Sequence, residues 1–159
     1  MKTTFSDYTL QVLREAGWYP ERAIDISGYE TYLTSIGYAL TDPIRDFFKE
    51  FVGLKLRSSR TFCFYEENQP ETLEYLYVFD PIPSADRMFG SCWLEGHEEI
   101  LQGEKLVVIG DQHDMTFFMS HSGKVYGGFD QYFCLLGNNA HEAIEEFCTW
   151  KNGPVVLVE

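Results

Sequence analysis

Positive charge is what this chain has least of. Its 159 residues carry 12 Lys and Arg against 25 Asp and Glu, a formal net charge of −13 with the histidines neutral. Nucleic acid and anionic membrane are both bound by clustered Lys and Arg, so this balance argues against either as a direct partner. Long apolar runs are missing too. No segment approaches the roughly 20 residues of a membrane span, and the opening MKTTFSDYTL has one lysine and no apolar stretch of signal-peptide length, so a cytoplasmic protein is expected. Cysteine is sparse: Cys63, Cys92, Cys134 and Cys148 stand 29, 42 and 14 residues apart, spacings of neither paired zinc knuckles nor a CxxC redox motif. Buried, reduced thiols fit them better. The nucleophile elbow GxSxG, the phosphate loop GxxxxGK(S/T) and the zinc motif HExxH are all absent, and neither a metal nor a cofactor is expected.

No Pro-, Gly- or Ser-rich linker interrupts the chain, so residues 1–159 read as one domain. With 45% hydrophobic and 16% aromatic residues the chain has the material for a core. A domain of this length buries about 70% of its unfolded surface and needs no disulfide or metal staple. The charge is unevenly placed. Residues 1–60 hold 8 basic against 8 acidic residues, whereas 61–159 hold 4 against 17. The second part therefore favours a cationic partner, or else supplies the acidic surface that keeps a protein soluble.

The first third reads as helices. Ser6 caps a helix running to about Ala16, with Gly17 as its stop. Ser27 and Glu30 form a capping-box pattern ahead of Tyr32, Leu33 and Ile36. Asp42 and Pro43 start a third helix, whose stripe of Ile44, Phe47, Phe48, Phe51 and Val52 ends at Gly53. Strands follow at Leu56–Tyr65, Leu73–Asp80, Lys105–Ile109, Met115–His121 and Lys124–Phe129, the second with the apolar centre of a central strand. Pro81–Asp86 reads as a loop, and Glu66–Glu71 as a polar turn. Asn139 and Glu142 open a last helix through about Trp150. The fold class is α+β: an antiparallel sheet of about five to six strands, with helices at both ends of the chain packed around it.

The stretch GDQHDMTFFMSHSGKVYGGFD, Gly110–Asp130, invites a metal or acid–base reading. If one strand joins His113 to His121, the eight-residue rise separates them by roughly 26 Å, too far to share an ion. A two-residue loop, Ser122–Gly123, would pair Met119 with Tyr126 and put His121 at the hairpin tip. Asp111, His113 and Asp114 fit a tight turn, where Asp side chains bind nearby backbone N–H groups. His97 and His141 have no second partner visible in sequence.

LREAGWYPERAI (13–24) and FFKEFVGLKL (47–56), followed by GKVY (123–126) and LLGNNAHEAIEEF (135–147), resemble in the same order the third subfamily of the SUKH superfamily, immunity proteins of bacterial polymorphic toxin systems. Glu21 and Val52 depart from it, standing where glycine is usual. The resemblance implies an α+β fold without catalysis that binds a cognate toxin domain, often a nuclease or nucleic-acid deaminase. It gives Gly17, Trp18, Arg22, Phe47, Phe51, Gly53, Leu54, Gly123, Tyr126 and Gly137 structural roles. Trp18 is expected to close the core and Arg22 to pair locally; Trp93 fits either the core or a partner. The acidic clusters add a mechanism, since a carboxylate-rich surface can occupy the basic cleft of a nuclease. Candidate partner-binding residues are Glu66, Glu67, Glu71 and Glu74 around one turn, Glu95, Glu98 and Glu99 around His97, and Asp111 and Asp114 on the hairpin loop. The rivals are a regulatory adaptor of the same superfamily and a small hydrolase using Cys or His.

Overall fold

A computed structural model describes residues 5–63 and 70–158. Glu66, Glu67 and most of the expected polar turn lie outside them. The elements in chain order are α1 (Asp7–Glu15), α2 (Ser27–Ile36), α3 (Asp42–Phe51), β1 (Lys55–Cys63), β2 (Pro70–Val78), α4 (Ile82–Met88), α5 (Cys92–Ile100), β3 (Leu106–Gln112), β4 (Met115–Ser120), β5 (Val125–Phe129), β6 (Tyr132–Gly137), α6 (Ala140–Thr149) and β7 (Val155–Val158). The strands form one antiparallel sheet in the order β1-β2-β3-β4-β5-β6-β7, each beside its neighbour in sequence. The α+β meander is as expected, with β6 and β7 as additional strands.

Helices cover both faces of the sheet. On one, α1, α3 and α6 bury phenylalanines: Phe147 of α6 lies 4.7 Å from Phe117 and 5.0 Å from Tyr77, and Phe47 of α3 meets Phe79 edge-on at 5.5 Å. The stripe read from sequence is the buried face of α3, with Ile44, Phe47, Phe48 and Phe51 at 0–1% exposure. Alternation along β4 sends Phe118 to the opposite face, where Trp93 of α5 stacks on it at 5.5 Å.

Five expectations need correction. Pro81–Asp86 is not a loop, since Ile82–Asp86 form most of α4; it is followed by a further helix, α5, which carries Trp93. Ser91 caps that helix by accepting the Leu94 N–H, so Gly90 ends the turn before it and Gly96 sits inside it. The Ser27–Glu30 capping box does not form: Asp25 accepts the Ser27 N–H at 2.9 Å, and Glu30 pairs with Arg45 instead. The hairpin register is shifted by one, pairing Met119 with Val125 and Phe118 with Tyr126. Its loop is three residues, and Gly123 takes the left-handed conformation (φ 99°) that such a loop requires. The tight turn is narrower than Gly110–Asp114, because Gln112 already pairs with Met115 and only His113–Asp114 turns.

The fifth correction concerns β2, which is not a typical central strand. It pairs with β1 along its whole length but meets β3 through the single pair Val78–Asp111, and residues 70–74 are exposed. The β1–β2 hairpin is therefore a ribbon fastened to the sheet at one end. The fastening point needs Gly110: a Cβ there would lie 2.4 Å from the Val78 carbonyl oxygen.

Candidate partner-binding surface

The residues matching the family pattern build the frame. Gly17 ends α1 with φ 101°, and the buried Trp18 donates its indole N–H to Glu50 at 3.3 Å. Arg22 reaches across 28 residues rather than pairing locally. Its guanidinium donates to the Glu50 and Val52 carbonyls at the C-terminus of α3, an end that attracts cations. Gly53 (φ 84°) donates its N–H to the Phe79 carbonyl, and Leu54 is buried behind it. Phe51 lies in the same core, near His141. Tyr126 stacks on Phe133 at 5.2 Å. Gly123 lies against Pro43, and at Gly137 a Cβ would come within 2.5 Å of the Ala143 backbone, so α6 packs where only glycine fits. Glu21 adopts φ 66°, which explains why glycine is usual at that place.

The candidate carboxylates fall in different environments. Glu71 and Glu74 are exposed on the β1–β2 ribbon, where Arg57 pairs with Glu74 at 3.2 Å. Glu95 and Glu99, one turn apart, lie on the exposed side of α5. Glu98, between them, is only 7% exposed and points inward. It accepts the Leu106 N–H at 2.8 Å and faces Lys105 at 3.7 Å, pinning α5 to the start of β3. Asp111 is half-buried under α4, and both its carboxylate oxygens face the Ser84 hydroxyl, at 2.9 and 3.0 Å. Burial pushes its carboxyl pKa up, against the hydrogen bonds from Ser84 and Thr116. Asp114 is exposed on the turn, 3.8 Å from His113. With Asp130 and Arg87 it lines a cleft of about 610 Å³ beside Trp93.

Trp93 belongs chiefly to the frame. It stacks on His97 at 4.0 Å, covers Gly128 and donates its indole N–H to the Asp130 carbonyl. His97 is buried, with Nδ1 2.6 Å from the Trp93 carbonyl oxygen. Sequence reasoning missed two polar arrangements. Arg60 is held between the rings of Tyr75 and Trp150 at 4.3 and 4.2 Å and donates to the Tyr77 hydroxyl. Glu50 joins Trp18 to His141, whose Nε2 lies 3.2 Å from Glu50 Oε2. Its signal was faint, because the three residues are far apart in sequence. Among the described residues no group of three or more His, Cys, Asp or Glu is placed to hold a metal ion, and no helix is long and apolar enough to cross a membrane.

The arrangement is that of a packed α+β domain with carboxylates on its exposed helices and turns. A family model described as SUKH-3 immunity protein matches residues 5–150, nearly the whole chain. The protein belongs to that family, whose function is immunity against a toxin. No curated protein and no solved structure matches it.

Proposed function

We propose that this immunity protein neutralises its toxin by binding it, and that the toxin is a basic nuclease or nucleic-acid-modifying domain met by the acidic surface. The observation that carries this reading is the set of exposed carboxylates, Glu95, Glu99 and Asp114 with Asp130, on the face covered by α4 and α5. Glu71 and Glu74 on the ribbon extend it. Such a surface occupies a phosphate-binding cleft and speeds the encounter through long-range attraction. Glu98 is excluded from the contact set by its burial. Of the described thiols, Cys134 and Cys148 are buried as expected, and burial pushes the Cys148 thiol up to about 12, which disfavours these two as nucleophiles; Cys92, contrary to expectation, is exposed on α5.

The test is co-expression with the toxic domain encoded by the gene just upstream, followed by binding at low and high salt. Rescue of growth, with affinity falling steeply as salt rises, is expected. Rescue with salt-independent affinity would remove the electrostatic mechanism, and failure to rescue from a demonstrably toxic neighbour would reject it as the partner.

A further inference from the structure

The carboxylates of α6 lie on a separate part of the molecule, and their setting differs from that of the surface residues above. Glu142, Glu145 and Glu146 line a cleft of about 380 Å³ between α6, β6 and the segment leading into β7. Glu146 is only 4% exposed. Its Oε2 accepts the Asn152 N–H at 3.3 Å, but its buried Oε1 has no hydrogen-bond partner among the described residues. A buried carboxylate oxygen left unmatched is costly, and native structures rarely retain one without a use.

The surroundings sharpen the asymmetry. Glu145 accepts the Ser6 N–H and Glu142 accepts from Asn138, so all three carboxylates hold neutral N–H donors and none of the three is in an ion pair among the described residues. The last turn of α6 carries no basic residue, so its C-terminal dipole adds to the negative potential. Lys151, exposed on the rim, is the one cation lining the cleft among the described residues. Beside it, Val155 leaves 58% of its surface exposed on the edge strand β7, an apolar border of the charged cleft. That border and the Lys151–Pro154 segment lie beyond the span matched by the family model.

We infer that this cleft is the seat for an arginine guanidinium presented by the protein partner, held by Glu142 and Glu145 at the rim and drawn toward Glu146 Oε1. Guanidinium suits it better than ammonium, because its planar fork bonds two carboxylates at once and it is more weakly hydrated, so it enters a partly buried site at lower cost. Val155 would cover its methylene stem. The inference rests on the proposed binding of a basic toxin for the identity of the partner and extends its contact from the α4–α5 face to the α6 end of the sheet, though the guanidinium seat can be tested alone.

The experiment is an NMR titration of the full chain with N-acetyl-arginine amide, using N-acetyl-citrulline amide as the uncharged control of the same shape. Saturable shifts of the Thr149, Asn152 and Gly153 amides with arginine alone are expected. Glu146→Gln should abolish them, and Glu142→Gln with Glu145→Gln should weaken them, while the rest of the spectrum shows each variant folded. No saturable shift, an equal response to citrulline, or an unchanged response in folded Glu146→Gln overturns the seat. An equal response to N-acetyl-lysine amide overturns the choice of guanidinium. Toxin binding then separates the two ideas. A tenfold or greater loss of toxin affinity in Glu146→Gln is expected, and undiminished affinity overturns the cleft as the partner's seat. Arginine seating without any binding of the neighbouring toxin supports the cleft and counts against the proposed function.

Discussion

The two faces of the sheet are held in different ways. Under α3 and α6 the core is a run of phenylalanines, with Phe47, Phe51, Phe79, Phe117 and Phe147 all at 0–1% exposure. Under α4 and α5 the buried side chains include Ser84, His97, Glu98 and Thr116, with Asp111 half-buried among them. The first face depends on apolar area and close packing, which tolerate no cavity. The second depends on particular hydrogen bonds, each made once. One sheet thus combines a core held mainly by aromatic packing with one pinned by hydrogen-bonded polar groups, and the exposed carboxylates proposed to meet a toxin stand on the pinned side.

The largest effect is expected on the phenylalanine side. Phe147→Ala removes a ring that touches Tyr77, Phe79 and Phe117 and should cost about 3 to 5 kcal/mol, read as a lowered urea midpoint. A loss below 1 kcal/mol would show that this face is loosely packed and erase the contrast. On the other face Gly128→Ala drives a Cβ to 2.6 Å from the Trp93 ring and should cost about 1 to 3 kcal/mol by overpacking. Its mark is the displaced indole, seen as a change in near-ultraviolet circular dichroism or Trp fluorescence. Glu98→Ala strands the buried Leu106 N–H at a cost of about 1 to 3 kcal/mol, whereas Glu98→Gln keeps an acceptor and should recover most of it. Equal losses in both variants would assign the effect to the charge facing Lys105 instead.

The smallest effects are in the pH profile. Asp111 has its folded pKa raised above the ordinary 3.8, so the native state there holds more protons than the unfolded chain. Stability is lost as pH rises from 3.8 through the raised value, and Asp111→Asn should melt higher than the parent at neutral pH, with the difference closing below 3.8. Glu104 runs the other way. Desolvation is its largest single influence, but hydrogen bonds from Ser122 and Ser120 outweigh it and lower its pKa from 4.5. Glu104→Gln should therefore melt lower at neutral pH, and the difference should fade as pH drops below 4.5. Parallel pH profiles for parent and both variants would show that neither carboxylate senses its setting.

The apolar face was the more legible in sequence. The stripe of α3 announces itself by its period of 3.6, and the Asn139 cap of α6 forms as read, accepting the Glu142 N–H at 2.9 Å. The polar face was harder to see, because α5 buries Leu94, His97 and Glu98, a pattern with little apolar periodicity, and carries Gly96 on its open side. Its helix depends on the Ser91 cap and on Trp93 packing over Gly128, a contact between residues 35 positions apart in the chain. β7 was missed since its pairing with β6 is tertiary and its valines alternate with nothing. Of the candidate carboxylates, sequence marked the exposed ones on α5 and the turn but could not see that Glu98 points inward, nor that Glu146 ends with an oxygen unmatched.

The meander also orders events in time. Each strand's partner is its sequence neighbour, so the sheet can grow by short loop closures as the chain is made, a route that favours fast folding. The exception is α6, which follows six of the seven strands and yet packs on α1 and β1 near the other end of the chain. Until it arrives, the rings of Tyr77, Phe79 and Phe117 lack their cover. A nascent chain stalled before residue 140 would carry six of the seven strands with part of one aromatic side bare, the form most prone to stick to its neighbours.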